Sequence, residues 1–203
     1  MTFSNIFAAG LFAIGVAVST GTAQATPLPA NTPLPGVAVG TGFITGLLVA
    51  DTGLQNYATP NETGTYRSQV YREAGGTLDF IYMISNDRTS IDSLSSVTMG
   101  AFGPFSTNVS YVFETGTVAP DTAARTSSGN VVKFLFNNGI NPGQTADTMI
   151  IQTNATTFSA GTYSAQDGYV AQLSGFQPAP EPMTYMLIGC GLSILGVLKR
   201  KKA

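Results

Sequence analysis

The chain has 203 residues, of which 43% are hydrophobic and only 10% are charged. Charged residues make up about 25% of an average soluble domain, so we expect a surface built from Ser, Thr, Asn, Gln and Gly, as in many exported β proteins. Histidine is absent, and the single cysteine, Cys190, lies in an apolar run where we interpret it as a packing residue. These absences exclude nucleophilic catalysis with a histidine base, zinc sites built on Cys or His, and an intramolecular disulfide.

The charges are unevenly distributed along the chain. Four of the nine Lys and Arg residues lie in the last five positions, whereas ten of the eleven Asp and Glu residues precede residue 177. The central part is therefore acidic, which argues against nucleic-acid binding because that binding depends on neutralising phosphates. Colloidal solubility is a sufficient reason for the acidity.

The first 25 residues have the pattern of a signal peptide. An apolar run at residues 3–18 is followed by small residues, and Ala23 and Ala25 have the spacing of a signal-peptidase site. We predict a signal helix at residues 1–25, cleavage by signal peptidase before Thr26, and export. Residues 1–5 contain no Lys or Arg, so a first helix that stays in the membrane is kept as the alternative.

Residues 26–35 contain four prolines. This composition predicts an extended spacer without a core of its own, which enters the following domain as a flexible or edge-packed arm.

From Gly36 onward, short apolar alternations are separated by turn residues, a pattern typical of strands. In residues 77–85, the side chains of Leu78, Phe80, Tyr82 and Ile84 share one face at period two, and we expect this strand to be central and partly covered on both sides. The pattern predicts an all-β domain at residues 36–176, an antiparallel β-sandwich with a jelly roll as one option for its connectivity. We predict strands within residues 37–50, 65–71, 77–85, 91–99, 108–114, 130–136, 147–153 and 162–176.

The segment 177–203 has three parts in a fixed order. Pro178, Pro180 and Pro182 alternate with other residues, which predicts a stiff, extended hinge close to polyproline II, with Glu181 as a solvated carboxylate. Residues 183–198 carry no charge and would span about 24 Å as a transmembrane helix, slightly less than a hydrocarbon core of about 30 Å. The basic residues that follow are expected to stay in the cytoplasm, which places the β domain outside. They are Lys199, Arg200, Lys201 and Lys202.

This ordered combination, over residues 178–203, resembles a PEP-CTERM sorting signal, which is found in exported proteins of Gram-negative bacteria. The resemblance implies that an exosortase, an integral-membrane cysteine protease or transpeptidase, recognises Pro180, Glu181 and Pro182 and removes the tail. It further implies a mature protein at the cell surface or in an exopolysaccharide matrix, with a structural or adhesive role. Met183 and Thr184 depart from the family, in which a small residue more often follows the motif. An ordinary C-terminal membrane anchor that nothing cleaves is the alternative.

The sequence predicts no catalytic residue, metal site or cofactor, and we expect a protein that is not an enzyme. Glycoside hydrolysis needs only two carboxylates, so a secreted carbohydrate-binding or carbohydrate-active protein on the same tail is the competing hypothesis. Tyr57, Tyr66 and Tyr71 would stack on sugar rings if they were exposed, but we expect them to pack in the core or at an edge. The acids available for such chemistry are Asp51, Glu62, Glu73, Asp79, Glu114 and Asp147.

Residues 86–92 bring several oxygen-bearing side chains into one loop, namely Asn86, Asp87, Ser90 and Asp92. Calcium prefers oxygen ligands, but the spacing is not that of an EF-hand. We interpret the loop as a turn.

Overall fold

Fourteen strands in two hydrogen-bonded sheets form the β body, our name for residues 25–180, which are the part of the chain described by this computed structural model. No helix occurs in the β body, so the all-β prediction is confirmed there. The predicted transmembrane helix, and all but the last residue of the predicted signal helix, lie outside the described residues. The strands are β1 (Thr26–Pro27), β2 (Thr32–Ala38), β3 (Gly40–Thr41), β4 (Leu47–Asp51), β5 (Gln55–Ala58), β6 (Thr63–Arg72), β7 (Leu78–Ile84), β8 (Leu94–Met99), β9 (Thr107–Val112), β10 (Thr122–Arg125), β11 (Val132–Ile140), β12 (Thr148–Thr153), β13 (Thr157–Asp167) and β14 (Tyr169–Ala179).

The first sheet has the strand order β1-β9-β12-β7-β6-β4, with β3 beside β9 and β5 beside β6. The second sheet has the order β14-β13-β8-β11-β10-β2. All strand pairs in the two sheets are antiparallel except β3 with β9. The order explains why short-range patterns were not enough to predict connectivity, since most neighbours are distant in sequence.

One hydrophobic core joins the two sheets. The period-two face predicted for residues 77–85 is confirmed, because its four apolar side chains are at most 1% exposed and belong to this core. Tyr82 of the first sheet meets Tyr163 of the second with ring centroids 5.0 Å apart, and Phe80 packs edge-to-face on Phe102. Buried aromatic rings each remove a large apolar area from water, so this layer stabilises the fold.

The proline-rich residues 26–35 form part of the β body. In this segment β1 pairs with β9 in the first sheet and β2 pairs with β10 in the second, and Leu28 between them is fully buried in the core. Residues 26–35 therefore form an edge-packed arm, which is one of the two predicted alternatives, and not a separate spacer. Prolines are tolerated here because a strand at a sheet edge can leave one backbone position without a ladder bond.

Residues 162–176 were predicted as one strand but contribute to a long hairpin. Strands β13 and β14 pair continuously from Thr157 with Ala179 to Asp167 with Tyr169. Gly168 at the tip has a φ of +74°, a conformation that favours glycine. The hairpin extends to Ala179, three residues beyond the predicted domain boundary at residue 176.

Residues 42–46, which we call the crossing segment, run across the outer face of the first sheet from β3 to β4. A Cβ atom on Gly42 would lie 2.3 Å from Ser110 Oγ and 3.6 Å from Ile150 Cδ1, so only glycine fits this close approach. Ile150 pairs across the ladder with Ile81 of β7, and both are fully buried. The prediction that residues 77–85 are covered on both sides is thereby confirmed.

Candidate functional site

The predicted sorting motif follows directly on the last strand. Ala179 ends β14, and its carbonyl oxygen accepts a hydrogen bond of 2.7 Å from Thr157 Oγ1. Pro178 is buried, whereas Pro180 is exposed. The expected extended path of Ala179 is confirmed, but it belongs to a paired strand and is not a solvated polyproline II segment. Glu181 and Pro182 lie outside the described residues.

The free edge of β14 is held against the first sheet by side chains. The backbone N–H of Ser174 donates to Tyr66 Oη at 3.3 Å, and that of Phe176 donates to Ser68 Oγ at 3.2 Å. Tyr82 Oη in turn donates to the Phe176 carbonyl at 2.8 Å. These bonds satisfy backbone groups that an edge strand would otherwise expose for association with another chain.

At the predicted signal-peptidase site, Thr26 is the first residue of β1. It pairs with Val109, and its hydroxyl accepts a hydrogen bond of 3.1 Å from the Gly40 N–H. Ala25 precedes the strand, and Ala23 lies outside the described residues. A cut before Thr26 would therefore leave β1 complete.

The remaining C-terminal features, the apolar run 183–198 and the basic cluster of Lys199, Arg200, Lys201 and Lys202, lie outside the described residues. Within residues 25–180, no helix is long and apolar enough to cross a bilayer.

Among the six candidate acids, Asp51 is committed to an ion pair at the edge of the first sheet. Arg67 contacts both carboxylate oxygens of Asp51, and Gln69 and the Gly53 N–H donate to the same group. The hydrogen bond from Arg67 is the main reason why the pKa of Asp51 lies well below its usual range. A carboxylate held in this way is a structural contact and a poor general acid.

Glu62, Asp147 and Glu114 occupy separate places. The Glu62 side chain is 1% exposed, and one of its carboxylate oxygens accepts from Thr59 Oγ1. Asp147 is 4% exposed and accepts the Gly116 N–H at 2.7 Å. Glu114 is exposed, in a left-handed backbone conformation at φ +58°. No two of these three acids contact each other.

Glu73 and Asp79 are the two candidate acids that the fold brings together. Asp79 is 3% exposed on the outer face of β7, where its only close amide donor is Gln152 Nε2 at 3.4 Å. Burial, with the Glu73 carboxyl hydrogen-bonded beside it, raises the pKa of Asp79 to about 6. Glu73 also accepts a 2.8 Å hydrogen bond from Thr45 of the crossing segment. The arrangement gives one carboxyl group that changes its charge near neutral pH.

The three candidate sugar-stacking tyrosines are not exposed platforms. Tyr57 and Tyr66 are each 8% exposed, and Tyr71 is half-buried. Tyr57 Oη donates to the Ser85 carbonyl at 2.9 Å, and burial raises its pKa. Tyr66 packs edge-to-face on Tyr163. Tyr57 and Tyr66 therefore pack in the core or at an edge, as predicted.

The loop at residues 86–92 uses its polar groups for internal hydrogen bonds. Asn86 Nδ2 donates to the carbonyls of Asp92 and Ile140, and Ser90 Oγ donates to the Thr63 carbonyl. Across residues 25–180, no group of three or more acidic or cysteine side chains is placed to hold a metal ion. The interpretation of this loop as a turn agrees with these contacts.

Arg125 is a buried side chain with several hydrogen bonds, which the sequence pattern did not predict. It is 5% exposed, and its guanidinium donates to the carbonyl oxygens of Leu28, Phe102, Phe105 and Gly129 at 2.7–2.9 Å. Burial lowers its pKa, yet a guanidinium keeps its charge in proteins. Arg125 thus joins the N-terminal arm, the loop after β8 and the turn after β10. Its position in a weak alternation, Thr-Ala-Ala-Arg, was the only available signal.

Comparisons with protein-family models, with curated proteins and with solved structures found no match to this chain.

Proposed function

We propose that this chain is an exported, non-enzymatic surface or extracellular-matrix protein whose C-terminal tail is recognised and removed by an exosortase-type membrane enzyme. The observation that carries the proposal is the order of features after β14: a Pro-Glu-Pro motif, sixteen uncharged residues at 183–198, and a terminal basic cluster. On this proposal the β body is a β-sandwich that serves as cargo. Signal peptidase would release the other end before Thr26.

Three observations support a cargo role for the β body. Histidine is absent from the chain, and only Glu73 and Asp79 of the six candidate acids come together. In addition, the predicted signal-peptidase cut would fall before β1 and the sorting motif begins after β14, so neither cut would remove a strand. The final location proposed is the cell surface or an exopolysaccharide matrix, reached after a transient stage anchored in the inner membrane.

The test is the substitution Glu181→Gln in the full-length chain, expressed in a host with an exosortase. We expect normal export but tail removal slowed by about tenfold, because one hydrogen bond to a charged group contributes about 1.5–3 kcal/mol. Intact mass and membrane fractionation over time would measure the processing. Glu114→Gln, at an exposed acid of the β body, is the matched control and should be processed like the parent.

Two results would contradict the proposal. Equal processing of the Glu181→Gln variant and the parent would show that the enzyme does not recognise the negative charge of Glu181. A mature protein that keeps Lys199 to Lys202 would instead indicate a permanently anchored envelope protein.

A second candidate function is carbohydrate binding or cleavage on the same sorting tail. It is favoured by the Glu73–Asp79 pair, since Tyr71 is the cross-strand partner of Asp79 on β6. The two carboxyl groups are hydrogen-bonded to each other, closer than the roughly 5–9.5 Å between the acids of glycosidases, so this place suits sugar binding and not cleavage. Retardation of the protein in gels containing polysaccharide, lost on Tyr71→Ala, would support this candidate, and unchanged mobility in every polysaccharide would count against it.

A further inference from the structure

Three exposed apolar side chains lie at the start of β4 and in the crossing segment that leads to it. Phe43, Leu47 and Leu48 are 66%, 71% and 42% exposed, and we call them the tail-side patch. We propose that this patch contacts the bilayer surface while the C-terminal segment is inserted in the membrane. The inference rests on the proposed function, because it requires residues 183–198 to enter the bilayer.

A short path of contacts connects the patch to the end of β14. Leu47 of β4 pairs with Arg72 of β6, and Arg72 Nη1 donates to the Thr156 carbonyl at 3.2 Å. The next residue, Thr157, pairs with Ala179 and donates to its carbonyl. Leu47 of the patch and the exit of the tail are therefore at the same end of the β body.

The tether between the β body and the apolar run is short. Only residues 180–182 separate Ala179 from Met183, and two of these three are prolines. A fully extended chain advances at most about 3.6 Å per residue, so Ala179 is at most about 14 Å from Met183. The polar layer on each side of a bilayer is roughly 5–8 Å thick. Insertion of the tail therefore brings this end of the β body to the headgroup layer.

The polar neighbours of the patch are already engaged within the protein. Arg72 donates to the Gly76 and Thr156 carbonyls, and Glu73 accepts from Thr45. The patch can thus approach the membrane surface without placing an unpaired charge of Arg72 or Glu73 against the lipid. Transfer of phenylalanine and leucine side chains from water to the boundary between headgroups and acyl chains is favourable, because it removes apolar surface from water.

A second copy of the chain fits the patch less well than a bilayer. The exposed parts of the three side chains amount to roughly 300–400 Å², less than half of the ~800 Å² that each partner buries in a standard interface. A membrane contact needs no such area, because the inserted tail already holds the β body at the surface.

The test uses the full chain with Cys190→Ala and one new cysteine, at Leu47, Ile91 or Ile188, labelled with an environment-sensitive fluorophore. Each protein is reconstituted in phosphatidylcholine vesicles with or without nitroxide-labelled phosphatidylcholine. Ile91 is the matched control because it is 73% exposed but lies in the loop after β7, whereas Leu47 lies near the turn before β7. The seven residues of β7 separate these two ends by about 23 Å.

We expect nitroxide lipid to quench the label at position 47 at least about twofold more than the label at position 91, given that separation of about 23 Å. Position 188 reports insertion of the tail and should be quenched most. Quenching at 188 with equal signals at 47 and 91 would overturn this inference and leave the proposed function standing.

Two other outcomes would also overturn the inference. A label at position 188 that is not quenched would show that the tail is not inserted, and the proposed function would fail with it. A label at position 47 that is shifted to shorter wavelength but unaffected by nitroxide lipid would assign the patch to contact between copies of the chain.

Discussion

Two buried charged side chains, Arg125 and Asp79, differ in how their charge is compensated. Arg125 donates to four backbone carbonyl oxygens, so its charge is stabilised by dipoles without a carboxylate partner. Asp79 accepts one long hydrogen bond from Gln152, and its other hydrogen-bond partner is a second carboxyl group, that of Glu73. Because desolvation penalises an ionised group that is poorly hydrogen-bonded, the fold favours the protonated form of Asp79.

This difference predicts a pH-dependent stability that Asp79→Asn should remove. The pKa of Asp79 is about 6 in the folded chain and about 3.9 when unfolded. Between these values the folded state binds more protons than the unfolded state, so the free energy of unfolding falls as pH rises from about 4 to about 6. The displaced pKa corresponds to at most about 3 kcal/mol, and we expect about 1 kcal/mol because solvent screens part of the effect.

Urea unfolding of residues 26–180, followed by circular dichroism across this pH range, would measure the effect. Asp79→Asn should flatten the pH profile and stabilise the protein at neutral pH, while Glu114→Gln should follow the parent. An Asp79→Asn profile that keeps the parent's slope would assign the pH dependence to another group.

At the level of elements, strand β14 has the most direct bearing on the proposed function. It is an edge strand, but hydroxyl groups of Tyr66 and Ser68 bind its outward N–H groups, and Thr157 binds the carbonyl of its last residue. The residues just before the sorting motif are therefore part of a hydrogen-bonded sheet. On the proposed function, the enzyme that recognises the motif would bind a segment that directly follows an ordered strand.

We expect Thr157→Val to loosen the end of β14 without unfolding the β body. The valine has a similar shape but cannot donate to the Ala179 carbonyl, and one such bond is worth about 1 kcal/mol. Amide hydrogen exchange in peptides covering residues 173–179 should therefore accelerate by about fivefold if local opening limits exchange. Thr162→Val, at an exposed position of the same strand, is the control, and equal acceleration in both variants would show that the Thr157 hydroxyl has no special role.

Strands with strong alternation were predictable, and very short strands were not. Residues 65–71, 77–85, 108–114 and 147–153 each correspond to an observed strand within a few residues. The missed strands β1, β5 and β10 have two to four residues, too few to show a period. They form because a longer neighbour offers a ladder to pair with, as β6 does for β5. The seven-residue β2 was also missed, because its prolines predict a spacer.

On the scale of the whole molecule, the two ends of the β body are fastened in different ways. At the N-terminal end, β1 joins the first sheet, β2 joins the second, and Leu28 is buried between them. At the C-terminal end, β14 belongs to the second sheet and reaches the first through side-chain hydrogen bonds. Both predicted processing points thus lie beside structured strands.

Local alternation in the sequence was sufficient to predict the all-β class and the buried face of β7, since a period-two pattern is set residue by residue. The sorting motif was also found from sequence alone, and it remains a prediction because Glu181 and Pro182 lie beyond the described residues. Contacts between distant residues were not accessible in this way. The pairing of Glu73 with Asp79, the four carbonyls around Arg125 and the extension of β14 to Ala179 depend on which strands become neighbours, and burial and pairing across the two sheets determine that choice.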